Sequence, residues 1–175
     1  MNFNLDDYIR KVPDFPKPGV LFYDITSILL DTKAFGYCID SMLDMYAPYP
    51  LDAVAAIEAR GFLFAAPFAL RAGLPLIPIR KKGKLPGKVL AKSYSLEYGT
   101  AEIEVQVDDI PKGKNILLMD DLIATGGTLG AATQLIREAG AEVTNIFGVI
   151  GLPFLHYDKA LEGIRIHTLI NYDSE

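Results

Sequence analysis

The run Ile116-Leu117-Leu118-Met119-Asp120-Asp121-Leu122-Ile123-Ala124-Thr125-Gly126-Gly127-Thr128 reads as a strand, a sharp turn and the start of a helix. Four apolar residues, Ile116 to Met119, bring a strand to its C-terminal edge, and two acids follow at once. Gly126 and Gly127 can turn tightly and let a ligand reach the backbone. A helix over Thr128 to Ala139 is expected next, closed by Gly140. Open α/β sheets bind ligands outside the carboxyl ends of their strands. The glycine amides, the hydroxyls of Thr125 and Thr128 and the positive end of the helix together suit a phosphate monoester. No lysine follows these glycines, so the run is not a Walker A loop, and no G-x-G-x-x-G fingerprint is present. The carboxylates of Asp120 and Asp121, just ahead of the cradle, suit vicinal sugar hydroxyls or a Mg2+ reached through oxygen or water. Acids on one side and phosphate donors on the other point to ribose 5-phosphate.

Outward from this run the same alternation continues. Asp52 to Ile57 reads as a short buried strand, Phe62 to Ala72 as a helix closed by Gly73, Leu76 to Ile79 as a strand, and Val143 to Ile150 as another. Strands and helices alternating across short turns indicate a parallel sheet flanked by helices on both faces. Nearer the start, a short helix is expected over Leu5 to Val12 and a longer one from Lys33 to Tyr46, ended by Pro48 and Pro50. Between them Pro13-Asp14-Phe15-Pro16-Lys17-Pro18-Gly19 should take an extended, stiff course. One stretch breaks the alternation. Val89 to Tyr94 and Ala101 to Val107 have period two, which predicts an antiparallel hairpin, about 88–107, standing off the parallel sheet as an interface element or a flexible lid. Arg80-Lys81-Lys82-Gly83-Lys84 ahead of it is strongly basic.

The chain has 175 residues, 17 Lys+Arg against 22 Asp+Glu and a net charge of −5, half of it apolar, which suits one globular domain and excludes disorder. The acidic balance argues against nucleic-acid binding, which leans on clustered Lys and Arg. The single cysteine, Cys38, and the two histidines, His156 and His167, make neither a disulfide nor a structural zinc site and read as packing residues. Met1 to Lys11 holds Asp6 and Asp7 with no apolar core, unlike a secretory signal. The longest apolar stretch, Gly61 to Leu70, is about half a membrane span. A cytoplasmic protein without membrane or nucleic-acid partners is expected.

The Asp120 to Thr128 run resembles the phosphoribosyl pyrophosphate (PRPP) signature of the type I phosphoribosyltransferases. Further segments, in the same order, are similar to the adenine-specific branch of that family: PDFPKPG with Val20-Leu21-Phe22 after it, Arg60-Gly61-Phe62-Leu63-Phe64, Arg80 to Gly87, and Ser93-Tyr94-Ser95-Leu96-Glu97-Tyr98-Gly99. The resemblance covers most of residues 13 to 140 and thins beyond 150. It implies a single-domain α/β fold over 1–175, with a small hood from about residues 1–30 and the C-terminal end. It also implies transfer of the 5-phosphoribosyl group from PRPP to N9 of adenine, giving AMP and pyrophosphate with Mg2+, in a homodimeric purine-salvage enzyme.

Carried over residue by residue, the resemblance puts the 5′-phosphate on Ala124, Thr125, Gly126, Gly127 and Thr128, and the ribose hydroxyls on Asp120 and Asp121. Glu58, Ala59 and Arg60 match the pyrophosphate loop, joined by Arg80, Lys81, Lys84 and Tyr98. Glu97 matches the catalytic acid that meets the imidazole ring of the base. Leu21 and Leu122 match the apolar pair around adenine, and backbone groups of Val20 to Tyr23 its edge reader. No protein side chain is implied as a firm direct metal ligand, since Mg2+ would be held mainly by PRPP. Three positions depart from the family's pattern. Tyr23 stands where Arg is usual, Ala59 where Ser or Thr is usual, and Gly151 lacks an expected polar side chain. Two other readings stay open: a PRPP enzyme with hypoxanthine, guanine or orotate as acceptor, and a PRPP-sensing regulator. The second is disfavoured by the negative charge, by Glu97, and by a first motif at Pro13 that leaves no room for a DNA-binding module ahead of it.

Overall fold

The computed structural model describes residues 3–95 and 100–174. Among these, five parallel strands make up most of a seven-stranded sheet: β3 (Ala53–Ile57), β4 (Leu76–Lys81), β7 (Asn115–Ile123), β8 (Glu142–Gly151) and β9 (Arg165–Asn171). The order across the sheet is β5-β6-β4-β3-β7-β8-β9, where β5 (Val89–Ser95) and β6 (Thr100–Gln106) are the expected hairpin. That hairpin does not stand off the sheet. β6 pairs antiparallel with β4 at Arg80 with Glu104 and Lys81 with Ile103, so it extends one edge.

Helices cover both faces, as the alternation requires. α1 (Thr26–Leu29), α2 (Thr32–Tyr46) and α3 (Arg60–Ala72) lie on one face, and α4 (Gly127–Glu138) lies on the other. In α2 the Asp31 carboxylate accepts from the amides of Lys33 at 2.8 Å and Ala34 at 2.9 Å. Its buried residues, Ala34, Cys38, Ile39, Met42 and Tyr46, recur at helical spacing. Burial pushes the Cys38 thiol up to about 12, which makes it an inert packing group. His167 is likewise packed, with Nδ1 3.1 Å from the Tyr46 hydroxyl. In α3, Phe64 and Phe68 are wholly buried one turn apart, and truncating either to Ala costs about 3–5 kcal/mol.

Three local expectations are corrected. Leu5 to Tyr8 is a single 3-10 turn, and the chain then enters β1 (Arg10–Pro13) rather than continuing as helix to Val12. The proline-rich segment is not one extended course. It folds back so that β1 pairs antiparallel with β2 (Leu21–Asp24), its loop closed by the Asp14 carboxylate accepting from the Gly19 amide at 2.9 Å. Finally, β7 does not stop at Met119. Pairing with β8 holds as far as Ile123 beside Gly151, so both acids lie inside the strand's last residues. β9 was not anticipated, and its parallel pairing with β8 adds the far edge of the sheet.

Candidate active site

Parallel strands bring their carboxyl ends to one edge, and four segments meet there: Glu58 to Arg60 after β3, the basic loop after β4, the end of β7, and the residues after β8. α4 begins at Gly127 behind Gly126, which adopts φ +79° and supplies no capping side chain. The first amides of a twelve-residue helix are therefore open to an anion. The cleft bounded by Asp120 and the loop from Leu122 to Leu129 has a volume of about 80 Å³, the scale of a single phosphate group. A Cβ at Gly126 would lie 3.1 Å from the Tyr157 carbonyl oxygen and 3.2 Å from Leu161 Cγ. Glycine is thus required there by both conformation and room.

The acids differ from one another. Asp121 is 4 % exposed, and its Oδ2 lies 2.8 Å from Arg60 Nε. That oxygen is buried without a well-directed hydrogen bond, so the pair is held by charge and proximity. Asp120 sits at the open edge, yet closely surrounding protein raises its pKa well above the usual carboxylate range. The Asp121 carboxylate pushes the same way. The Asp121 amide, donating to Asp120 Oδ1 at 2.8 Å, works against this, as does Arg60. Gly61 allows the approach of α3 to β7, since a Cβ there would lie 3.1 Å from Asp120 Oδ1 and 3.2 Å from its Cα.

Around the basic loop Arg80 is engaged by a carboxylate. Arg80 donates through Nε and Nη2 to both oxygens of Glu58, each at 3.1 Å, and the Lys81 amide adds a third bond at 3.0 Å. The Arg80 guanidinium holds Glu58 below the usual carboxylate range. Lys81 and Lys84 are exposed on the loop. Its shape comes from Glu104, a buried carboxylate accepting from the amides of Lys84 at 2.8 Å and Leu85 at 2.7 Å. Burial works to raise the pKa of Glu104, but the amides of Leu85, Gly83 and Lys84 outweigh it and hold it low. Alternation along β6 puts Glu104 on the same face as Glu102 and Gln106, the polar side of the strand. Glu104 is covered because the loop folds over it.

β2 separates two cavities. Leu21 and Tyr23 line one of about 500 Å³, together with Ala124, Thr125, Leu152 and Leu155. Phe22 and Asp24, on the other face of the strand, line a second of about 460 Å³ with Arg60, whose guanidinium carbon is 5.7 Å from the Phe22 ring centre. Alternation along a strand makes this division unavoidable, and it was the signal that Phe22 also faces a site. Leu122 borders the 80 Å³ cleft rather than the 500 Å³ cavity. Glu97 and Tyr98 lie outside the described residues. Among the described residues no group of three or more His, Cys, Asp or Glu is placed to hold a metal, and no helix is long and apolar enough to cross a membrane.

The fold and this edge define an α/β protein in which an uncapped helix start and a separate cluster of guanidinium groups meet at the carboxyl ends of a parallel sheet. Comparison with known proteins narrows the class. The phosphoribosyl transferase domain profile matches residues 38–163. The adenine phosphoribosyltransferase of Treponema denticola is 60% identical over 98% of this chain and 90% of its own length. Two solved structures superpose closely. The adenine phosphoribosyltransferase of Thermoanaerobacter pseudethanolicus has a TM-score of 0.93 at 43% identity, covering 97% of this chain and all of the other. That of Saccharomyces cerevisiae, complexed with D-2,5-dideoxy-2,5-imino-altritol 1,6-bisphosphate and adenine, has a TM-score of 0.89 at 34% identity, covering 94% and 96%. The chain belongs to the adenine phosphoribosyltransferase family.

Proposed function

We propose that this chain transfers the 5-phosphoribosyl group of PRPP to N9 of adenine, releasing pyrophosphate and forming AMP in purine salvage. The observation that carries the reading is the convergence, at one sheet edge, of an uncapped helix start, an acid doublet and Arg60. The 5′-phosphate is assigned to the amides and hydroxyls of Ala124 to Thr128, and the ribose hydroxyls to Asp120 and Asp121. The diphosphate is assigned to the Glu58 to Arg60 backbone with Arg60, Arg80, Lys81 and Lys84. Adenine is assigned to β2, with Leu21 and Tyr23 on one side and Leu122 toward the ribose. Phe22 favours a second placement of the base, on the Arg60 side of β2, and comparing Leu21→Ala with Phe22→Ala for adenine KM distinguishes the two.

In this reading bond breaking at the anomeric carbon runs ahead of attack, so the sugar gains oxocarbenium character. The residues act mainly by fixing the two anions and placing charge where the leaving group departs. Mg2+ would neutralise the diphosphate, and the oxygen donors of Asp120 and Asp121 fit a hard cation reached through water. Glu97 is assigned to share a proton with the imidazole ring as N9 attacks, and Tyr98 is assigned to the pyrophosphate. A homodimer belongs to this reading and is supported by Leu63 and Leu70, exposed on one face of α3. So does a cytoplasmic location, supported by the lone, buried Cys38.

Incubation with PRPP, Mg2+ and an equal mixture of adenine, hypoxanthine, guanine and orotate should yield AMP alone. Formation of another nucleotide in AMP's place overturns the acceptor. Glu97→Gln should lower kcat by about 10²–10⁴-fold with little change in PRPP affinity, and unchanged turnover refutes its role.

A further inference from the structure

β1 and β2 form a two-stranded sheet of their own, apart from the main sheet. An isolated two-stranded hairpin is marginal in water, so the position of β2 over the phosphate loop depends on what its side chains grip. The buried Tyr23 is stacked on Tyr172, with ring centres 3.9 Å apart and planes within 14°. Tyr172 follows β9 directly. Its amide donates to the Gly151 carbonyl at 3.0 Å, and the next residue, Leu152, donates to Ile123 at 2.9 Å, beside Ala124. A continuous path therefore joins Tyr23 to the phosphate loop through the end of the chain.

The Tyr172 ring is itself fixed. Its hydroxyl donates to Asp6 Oδ1, while Asp6 Oδ2 pairs with Lys11 Nζ at 2.8 Å. Lys11 stands opposite Tyr23 in the β1–β2 register, and its ammonium lies 5.2 Å from the Tyr172 ring centre. The Lys11 and Tyr172 hydrogen bonds hold Asp6 below the usual carboxylate range.

We propose that Tyr172 is a positioning residue for the purine: clamped by Asp6 and stacked on Tyr23, it sets the height of β2 above the Ala124 loop. It touches no reacting atom. The proposal rests on the reading that β2 presents its backbone to the base, and it holds for either face of the strand. It also gives the side chain of Tyr23 a role. An aromatic ring at this position gains a stacking partner that orders the strand.

Steady-state kinetics on the full chain test it. Tyr172→Leu, which removes the stack, should raise the adenine KM about tenfold while leaving the PRPP KM and kcat within about twofold. Tyr172→Phe keeps the ring and should recover most of that loss. Asp6→Asn should cost at least as much as Tyr172→Phe, because it weakens the hydroxyl contact and also gives up the Lys11 ion pair, and the double variant should be no worse than Asp6→Asn alone. The Tyr172→Phe and Asp6→Asn comparison stands alone should Tyr172→Leu not fold. An unchanged adenine KM, additive losses in the double variant, or equal changes in both KM values would overturn the proposal. If the unaltered protein made no AMP from the base mixture, the base reading itself would fail. AMP formation with an unmoved adenine KM in the variants would sink the positioning role alone.

Discussion

The loop from Ala124 to Thr128 offers backbone amides at an uncapped helix start, with no carboxylate competing for its first turn. Around Glu58 to Arg60 the guanidinium groups are already met by carboxylates: Arg60 faces Asp121, and Arg80 grips Glu58 with two bonds. The first site is pre-organised by its backbone, so an anion meets its amides at little ordering cost. The second is latched, and in the proposed reading an incoming diphosphate must displace or share the partners of Arg60 and Arg80. An enzyme that keeps a sugar phosphate through the reaction and then sheds a diphosphate is served by this asymmetry.

The largest expected effect separates the two loops. Arg60→Ala should weaken pyrophosphate binding about a hundredfold, on the scale of losing charge-assisted hydrogen bonds to an anion. AMP binding should change by no more than about threefold. Equal losses for both ligands, measured by calorimetry, would break the division. Gly126→Ala should act in the opposite sense. The positive φ and the near Tyr157 carbonyl cost the fold about 1–3 kcal/mol. AMP affinity should fall about tenfold while pyrophosphate affinity holds, and unchanged AMP affinity would place the phosphate elsewhere.

A smaller effect reads the acid doublet. Folding raises the pKa of Asp120 above its unfolded value, so the folded chain binds that proton more tightly. This favours folding below the unfolded carboxylate range and is lost as pH rises through the raised value. At neutral pH the two adjacent carboxylates therefore cost stability. Asp120→Asn should raise Tm by about 2–4 °C at pH 7. The gain should shrink as pH falls into the carboxylate range, while ribose-phosphate binding weakens. A Tm gain that persists unchanged at low pH would contradict the charge argument.

What could be read from the sequence is what local chemistry writes. The strand-turn-helix around Asp120 to Thr128, the Gly73 stop and the period-two hairpin each follow from residues adjacent in the chain. Contacts between distant segments carry no such mark. Arg60 with Asp121, Arg80 with Glu58, and Tyr23 with Tyr172 arise only once the sheet has brought separate loops to one edge. The burial of Glu104 was hidden because alternation reports a strand's two faces but not a loop folding back across one of them. The extension of β7 through its acids was hidden for a related reason. Carboxylates are poor strand formers, and only pairing with β8 up to Gly151 keeps them in register.

The central claim is that a sugar phosphate is gripped where the acid doublet meets the paired glycines. A crystal structure of the protein soaked with PRPP and Mg2+ tests it most directly. The 5′-phosphate should lie on the amides between Thr125 and Thr128, with the ribose hydroxyls facing Asp120 and Asp121. Density for the ligand at another place, with that cleft vacant, would contradict it.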